Sequence, residues 1–156
     1  MSKVTIGGKV ADFELSATGG ETIRLSALKG RTVVLYFYPK DNTPGCTREG
    51  QDFRDLHPRY TAAGAVVLGI SRDTVQSHEK FRSQYDFPFA LLSDGDEKLC
   101  RQFDVIRPKN MYGKTVEGVE RSTFLIDSNG ILRREWRKVK VDGHAEDVLE
   151  ALKDLG

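Results

Sequence analysis

Apolar and polar positions change rhythm along the chain, and the changes mark out its elements. Phe13-Glu-Leu15 and Thr22-Ile-Arg-Leu25 alternate around Thr18-Gly19-Gly20, which predicts a small N-terminal hairpin. Thr32 to Tyr38 is mostly apolar on both faces, the pattern of a central strand covered on two sides. From Thr47 to Ala63 the spacing becomes three and four, with Phe53, Leu56 and Tyr60 on one stripe, so an amphipathic helix opens at about Cys46. Within it His57-Pro58 predicts a kink or interruption. Ala65 to Ile70 reads as a second buried strand, and Asp73-Thr-Val-Gln76 as a capping box starting a helix through about Tyr85.

After the apolar run Phe89-Ala-Leu-Leu92, Asp94 and Glu97 are placed to cap another helix, which carries Leu99, Cys100 and Phe103 in an apolar pattern. Arg121 to Ile126 and Ile131 to Trp136 flank Asp127-Ser-Asn129-Gly130, and Asn-Gly is the strongest short-range hairpin signal in the chain. Val148, Leu149, Leu152 and Leu155 stripe a last helix. Strands alternating with helices, then an antiparallel hairpin and a closing helix, predict an α/β fold: a mixed central sheet, helices on both faces and an N-terminal hairpin. In its order of elements this is similar to the thioredoxin fold.

Length and charge narrow the class. The 156 residues fit a single domain, 1–156, long enough to bury roughly two thirds of the unfolded surface. Lys and Arg number 24 against 23 Asp and Glu, so no nucleic-acid partner is expected. The most basic stretch, Arg133-Arg134-Glu-Trp-Arg137-Lys138, carries an acid and no interleaved stacking rings, and reads as a solvated strand face. Two cysteines are too few for a secreted disulfide scaffold, and neither lies at metal spacing from another Cys or His. A cytoplasmic protein without a metal is the expectation. The opening residues Met1 to Gly8 show no apolar leader, and nowhere do eighteen apolar residues run together, so neither export nor a membrane is indicated. His57, His78 and His144 are mutually isolated and read as surface residues.

The chemistry concentrates in Pro39-Lys-Asp-Asn-Thr43-Pro-Gly-Cys46, directly after the buried strand. A helix N-terminus offers unpaired N–H groups and partial positive charge, both of which favour thiolate over thiol. A buried core cysteine is the plain alternative. The turn-forming, polar neighbours at the carboxyl edge of a buried strand, where open sheets place their ligands, weigh against it. Thr43 can turn its hydroxyl toward the sulfur, as donor to one oxygen and acceptor from another, or cap the helix; the two roles are compatible. Pro39 has no N–H to compete and could wall the sulfur from solvent. Gly45 allows a small substrate close to the backbone.

The arrangement Pro-x-x-x-Thr-x-x-Cys after a strand resembles the peroxiredoxin signature. Together with Phe37 to Thr47, Leu68-Gly-Ile-Ser-Arg-Asp73, Leu92-Ser-Asp94 and Arg121-Ser-Thr-Phe-Leu-Ile-Asp127, it is similar to the bacterioferritin comigratory protein, or PrxQ, subfamily over nearly the whole chain. The resemblance implies a thiol-dependent peroxidase. Cys46 would be the peroxidatic nucleophile, with Thr43 and Arg121 completing the site beside Pro39. It would attack hydrogen peroxide or an alkyl hydroperoxide to give a sulfenic acid, without metal, flavin or haem. Arg121, which spacing does not supply, would stabilise the thiolate and hold the peroxide as charge develops on the departing oxygen. Glu49 suits the helix dipole and reads as a solvated residue, with organisation of Arg121 or Arg48 as the alternative.

The chain departs from that pattern in one respect. Relatives carry a resolving cysteine five residues after the peroxidatic one, or about thirty-six after it; here those places hold Gln51 and Arg82. The remaining thiol, Cys100, reads as a core residue. A one-cysteine cycle is therefore expected, with thioredoxin, or glutathione and glutaredoxin, as the external reductant. The alternatives are a two-cysteine cycle resolved by Cys100, and a redox-sensing or holdase module. A disulfide reductase would need Cys-x-x-Cys, whereas Cys46 is followed by Thr47, Arg48 and Glu49. The resemblance and the lack of a long C-terminal arm lean toward a monomer.

Overall fold

The computed structural model describes residues 4–155; Met1–Lys3, part of the opening stretch read above as lacking a leader, and Gly156 lie outside the described residues. The predicted N-terminal hairpin is present as β1 (Glu14–Ser16) and β2 (Thr22–Arg24), paired antiparallel with Leu15 opposite Ile23. The buried run forms β3 (Thr32–Phe37), followed by α1 (Pro44–Ala62), β4 (Ala65–Ser71), α2 (Val75–Tyr85), β5 (Ala90–Ser93) and α3 (Lys98–Gln102).

Three local expectations are corrected here. Helix α1 is not interrupted at Pro58 and runs on to Ala62. A mid-helix proline costs about 3 kcal/mol, but Phe53 and Tyr60 on either side of it are fully buried, and the Tyr60 hydroxyl donates to the Ala145 carbonyl at 2.7 Å. Packing of that face outweighs the lost hydrogen bond. Helix α2 is capped by Thr74, whose Oγ1 accepts from the Ser77 N–H at 3.1 Å; the Asp73 carboxylate instead accepts from Ser71 and from the Asp41 N–H. Helix α3 is capped by Asp94, its two oxygens taking the N–H groups of Leu99 and Cys100 at 3.0 and 2.6 Å, and by Asp96, which accepts from the Lys98 N–H at 3.1 Å. Glu97 stands at a left-handed φ of 64° and gives its carboxylate to Arg72 and Arg101.

A second hairpin follows, β6 (Ile106–Met111) and β7 (Lys114–Val119), with Tyr112 and Gly113 at positive φ in its tip. Then come β8 (Ser122–Ile126), the predicted Asn129-Gly130 turn, β9 (Leu132–Trp136) and α4 (His144–Asp154). The central sheet has the order β5-β4-β3-β8-β9, with β3, β4 and β5 parallel and β8 antiparallel to both neighbours. This is the expected mixed sheet of a thioredoxin-like fold.

The alternation of β3 separates two cores. Val34, Tyr36 and Tyr38 face one that also holds Cys46 and Phe53 of α1, Phe81 of α2 and Val148 of α4. Val33, Leu35 and Phe37 face the other, with Leu99 and Cys100 of α3 and Phe103. The two cysteines therefore lie on opposite faces of the sheet. Among the described residues no helix is long and apolar enough to cross a membrane.

Candidate active site

The loop from Tyr38 to Thr43 delivers the chain from β3 into α1, with Thr43 at the N-cap and Pro44 in the first helical position, where its missing N–H is not needed. Cys46 is thus the third helical residue. The first intrahelical bond runs from the Thr47 N–H to the Thr43 carbonyl at 2.8 Å, so the N–H groups of Gly45 and Cys46 precede the ladder and point out of the helix end. Cys46 is 1% exposed.

Arg121 reaches this end through sheet pairing. Antiparallel pairing of β3 with β8 sets Ser122 opposite Phe37, which brings Arg121, just before β8, beside the end of β3. Its Nη2 donates to Cys46 Sγ at 3.4 Å, and its Nη1 donates to Glu49 Oε1 at 2.7 Å. The guanidinium also fills the space over Gly45, where an added Cβ would lie 3.1 Å from Nη2. A side chain at position 45 would press on the guanidinium and shift it by a few tenths of an ångström, a reason for Gly45 separate from substrate approach. Burial works against the charged guanidinium, but Glu49 and Cys46 outweigh it and hold Arg121 more firmly protonated than usual.

Thr43 is placed differently from the expectation. Its hydroxyl donates to the Lys40 carbonyl at 2.9 Å and makes no capping bond. The helix forgoes a cap worth about 1 kcal/mol, and the hydroxyl keeps its lone pairs for an acceptor role alone. Pro39 is half-buried in the loop that follows β3. Cys100 is fully buried under α3, and burial with the neighbouring Asp94 pushes its thiol well above the usual range.

Sequence reasoning misjudged Glu49. It is no solvated helix residue: its side chain is 2% exposed and paired with Arg121, while Arg48 pairs with Asp142 on the surface. Glu49 Oε2 is buried without a hydrogen-bond partner, as is the Tyr36 hydroxyl. Burial, only partly offset by Arg121, raises the Glu49 carboxyl from 4.5 to about 7. Between those values the folded chain keeps a proton that the unfolded chain has released, so this group's contribution is complete below pH 4.5 and is lost as pH rises toward 7. The loss amounts to about 3 kcal/mol. In urea melts at pH 5 and pH 8, the stability of the wild type relative to Glu49→Gln is expected to fall by about that amount. A difference that stays flat with pH contradicts this.

Two histidines are also corrected. His78 and His144 are buried rather than on the surface, and only His57 is half-exposed. His144 Nε2 lies 2.7 Å from the Thr123 hydroxyl, and burial lowers its pKa to about 4. His78 falls in the one group among the described residues close enough to share a metal ion, Asp41, Asp73 and His78, whose ligand atoms lie within 4.8 Å of one another. Each of the three side chains already has a protein hydrogen-bond partner.

Comparison with known proteins identifies the family. The AhpC/TSA family model matches residues 6–135. The chain is similar to Peroxiredoxin Bcp of Xanthomonas campestris pv. campestris, 58% identical over 142 residues that make up 91% of this chain and 89% of that one. It is similar also to Peroxiredoxin Bcp of Bacillus subtilis, 50% identical over 152 residues and covering 97% of both. A solved structure of Xanthomonas campestris bacterioferritin comigratory protein, described in connection with alkyl peroxide reduction and a trapped intermediate and ligand complex, superposes with a TM-score of 0.88 at 56% identity, covering 91% of this chain and 90% of that one. From its sheet order to the run around Cys46, the chain belongs to the AhpC/TSA family, as a peroxiredoxin of the bacterioferritin comigratory protein (PrxQ) subfamily.

Proposed function

We propose that Cys46 is the peroxidatic thiolate of this peroxidase and that its reduction draws on an external thiol. The observation that carries the reading is the Arg121 guanidinium 3.4 Å from Cys46 Sγ, at a helix end whose first N–H groups are free. The sulfur attacks the terminal oxygen of hydrogen peroxide or an alkyl hydroperoxide. An S–O bond forms as the O–O bond breaks, the sulfur loses two electrons to become the sulfenic acid, and the other oxygen departs as hydroxide or alkoxide and takes up a proton. Arg121 and the Cys46 N–H donate toward the oxygens as charge develops, Thr43 Oγ1 accepts a hydrogen bond from the peroxide O–H, and Pro39 and Gly45 shape the approach.

The separation of the cysteines supports a one-cysteine cycle. A disulfide needs Cα atoms within about 7 Å, and Cys46 and Cys100 belong to cores on opposite faces of the sheet. Gln51 and Arg82 at the other resolving places point the same way. The reductant is thioredoxin, or glutathione with glutaredoxin, acting on a monomer in a reducing cytoplasm.

Mass spectrometry after one equivalent of peroxide is the test. A sulfenic acid on Cys46, or its mixed disulfide with added glutathione, is expected; an intrachain Cys46–Cys100 disulfide as main product contradicts the cycle. Cys100→Ser should keep peroxide consumption within about twofold of the wild type. Assays with thioredoxin and with glutathione plus glutaredoxin, run side by side, identify the reductant.

A further inference from the structure

Thr74 and Thr43 both stand at helix N-caps, yet only Thr74 caps its helix. An N-cap threonine ordinarily accepts from the N–H two or three residues on. At Thr43 the third residue is Cys46, so ordinary capping would tie up both the threonine lone pair and the cysteine N–H. Something turns Thr43 away, and its bond to the Lys40 carbonyl makes the turn. The position of that carbonyl depends on its neighbour, Asp41.

Asp41 is held on every polar atom of its side chain and at its backbone N–H. Its Oδ1 accepts from the Tyr38 hydroxyl at 2.6 Å, and its Oδ2 accepts from the Ser77 hydroxyl at 2.8 Å and faces His78 Nδ1 at 2.7 Å. Its backbone N–H donates to Asp73 Oδ2 at 2.8 Å. His78, 0% exposed, has its other nitrogen 2.9 Å from the Leu92 carbonyl. A carbonyl only accepts, so Nε2 donates to Leu92, and the two ring contacts fix the imidazole between α2, β5 and the loop. A buried network satisfied in this way fixes geometry. Here it ties the loop to α2 and β5 one residue from the Lys40 carbonyl.

We propose that Asp41, clamped by His78, is a positioning residue that keeps Thr43 from capping α1 and so leaves the Thr43 lone pair and the Cys46 N–H free for peroxide. This rests on the reading of Thr43 and Cys46 given above. Loosening the clamp lets Thr43 rotate into the ordinary cap, where both groups satisfy each other. The Arg121 contact to the sulfur is untouched by that change, so the loss falls on peroxide and spares other electrophiles.

The test is a double-mutant cycle between Asp41→Asn and Thr43→Val. Asp41→Asn is expected to lower the second-order rate constant for hydrogen peroxide at least about tenfold, while alkylation of Cys46 by iodoacetamide stays within about twofold or rises. In the Thr43→Val background the same change should have an effect within about twofold of none. Effects that multiply, a parallel loss of alkylation in a folded variant, or an unchanged peroxide rate each overturn the proposal. Should Asp41→Asn fail to fold by circular dichroism, Ser77→Ala, which removes one donor to the carboxylate, replaces it in the same cycle and is expected to show a smaller fall that also vanishes with Thr43→Val. A wild type inactive toward peroxide refutes the site reading itself; an active wild type with an additive cycle refutes only the clamp.

Discussion

Cys46→Ser is expected to consume no peroxide above buffer, measured by loss of hydrogen peroxide in the presence of excess thiol. A serine hydroxyl, unlike a thiol, supplies essentially no anion near neutral pH even beside Arg121. The substitution changes little else. Cys46 is buried among Tyr36, Phe53 and their neighbours, and a hydroxyl of similar size can accept from Arg121 in the sulfur's place. A folded, inactive variant with an unchanged far-ultraviolet dichroism spectrum is the result; substantial residual turnover would move the nucleophile to Cys100.

Arg121→Ala is expected to lower the second-order rate constant for peroxide by about a hundredfold to a thousandfold, the range seen when a preorganised donor to a developing anion is removed. Arg121→Lys should recover only part of this. The guanidinium reaches Glu49 Oε1 with one nitrogen and Cys46 Sγ with the other, and an ammonium cannot divide itself in that way. Breaking a buried ion pair from one side costs about 3–5 kcal/mol when the remaining charge is stranded. Glu49 has an escape, because burial already raises its carboxyl to about 7 and it can take up a proton once Arg121 is gone. The stability lost in Arg121→Ala should therefore be smaller at pH 6 than at pH 8. Peroxide kinetics and urea melts at both pH values check the two parts separately.

The contrast between Cys46 and Arg121 shows what the sequence could convey. Cys46 is defined by its neighbours: a strand, a turn and a helix start within a few residues, each with its own pattern. Arg121 comes to the sulfur through the β3–β8 register, a long-range pairing with no local signal, and only the family resemblance pointed to it. Glu49 was misjudged for the same reason, since one turn after Cys46 is a solvated place until Arg121 arrives. His78 and His144 did leave a trace. His78, Phe81 and Tyr85 form one helical stripe, as do His144, Val148 and Ala151, and each histidine should have been read as the polar end of its stripe. Hairpin β6/β7 left none: most of its residues are exposed or only half-buried, so no buried side writes an alternation.

The near-complete burial of Cys46 divides the catalytic cycle into two problems of size. A peroxide is a few atoms long, and Thr43 and Gly45 beside the buried sulfur are only half-buried. On the proposed one-cysteine cycle, a reducing thiol borne on another protein has to bring its own sulfur within bonding distance of one that is 1% exposed, along the line of the S–O bond, which calls for the first turn of α1 to move. Unwinding that turn forfeits no capping bond, since Thr43 forms none and Pro44 contributes no N–H, but it takes Cys46 out of the core around Tyr36 and Phe53. On that cycle the helix start that shelters Cys46 is also the part of α1 that has to unwind, and turnover under saturating peroxide becomes a measure of how often it does.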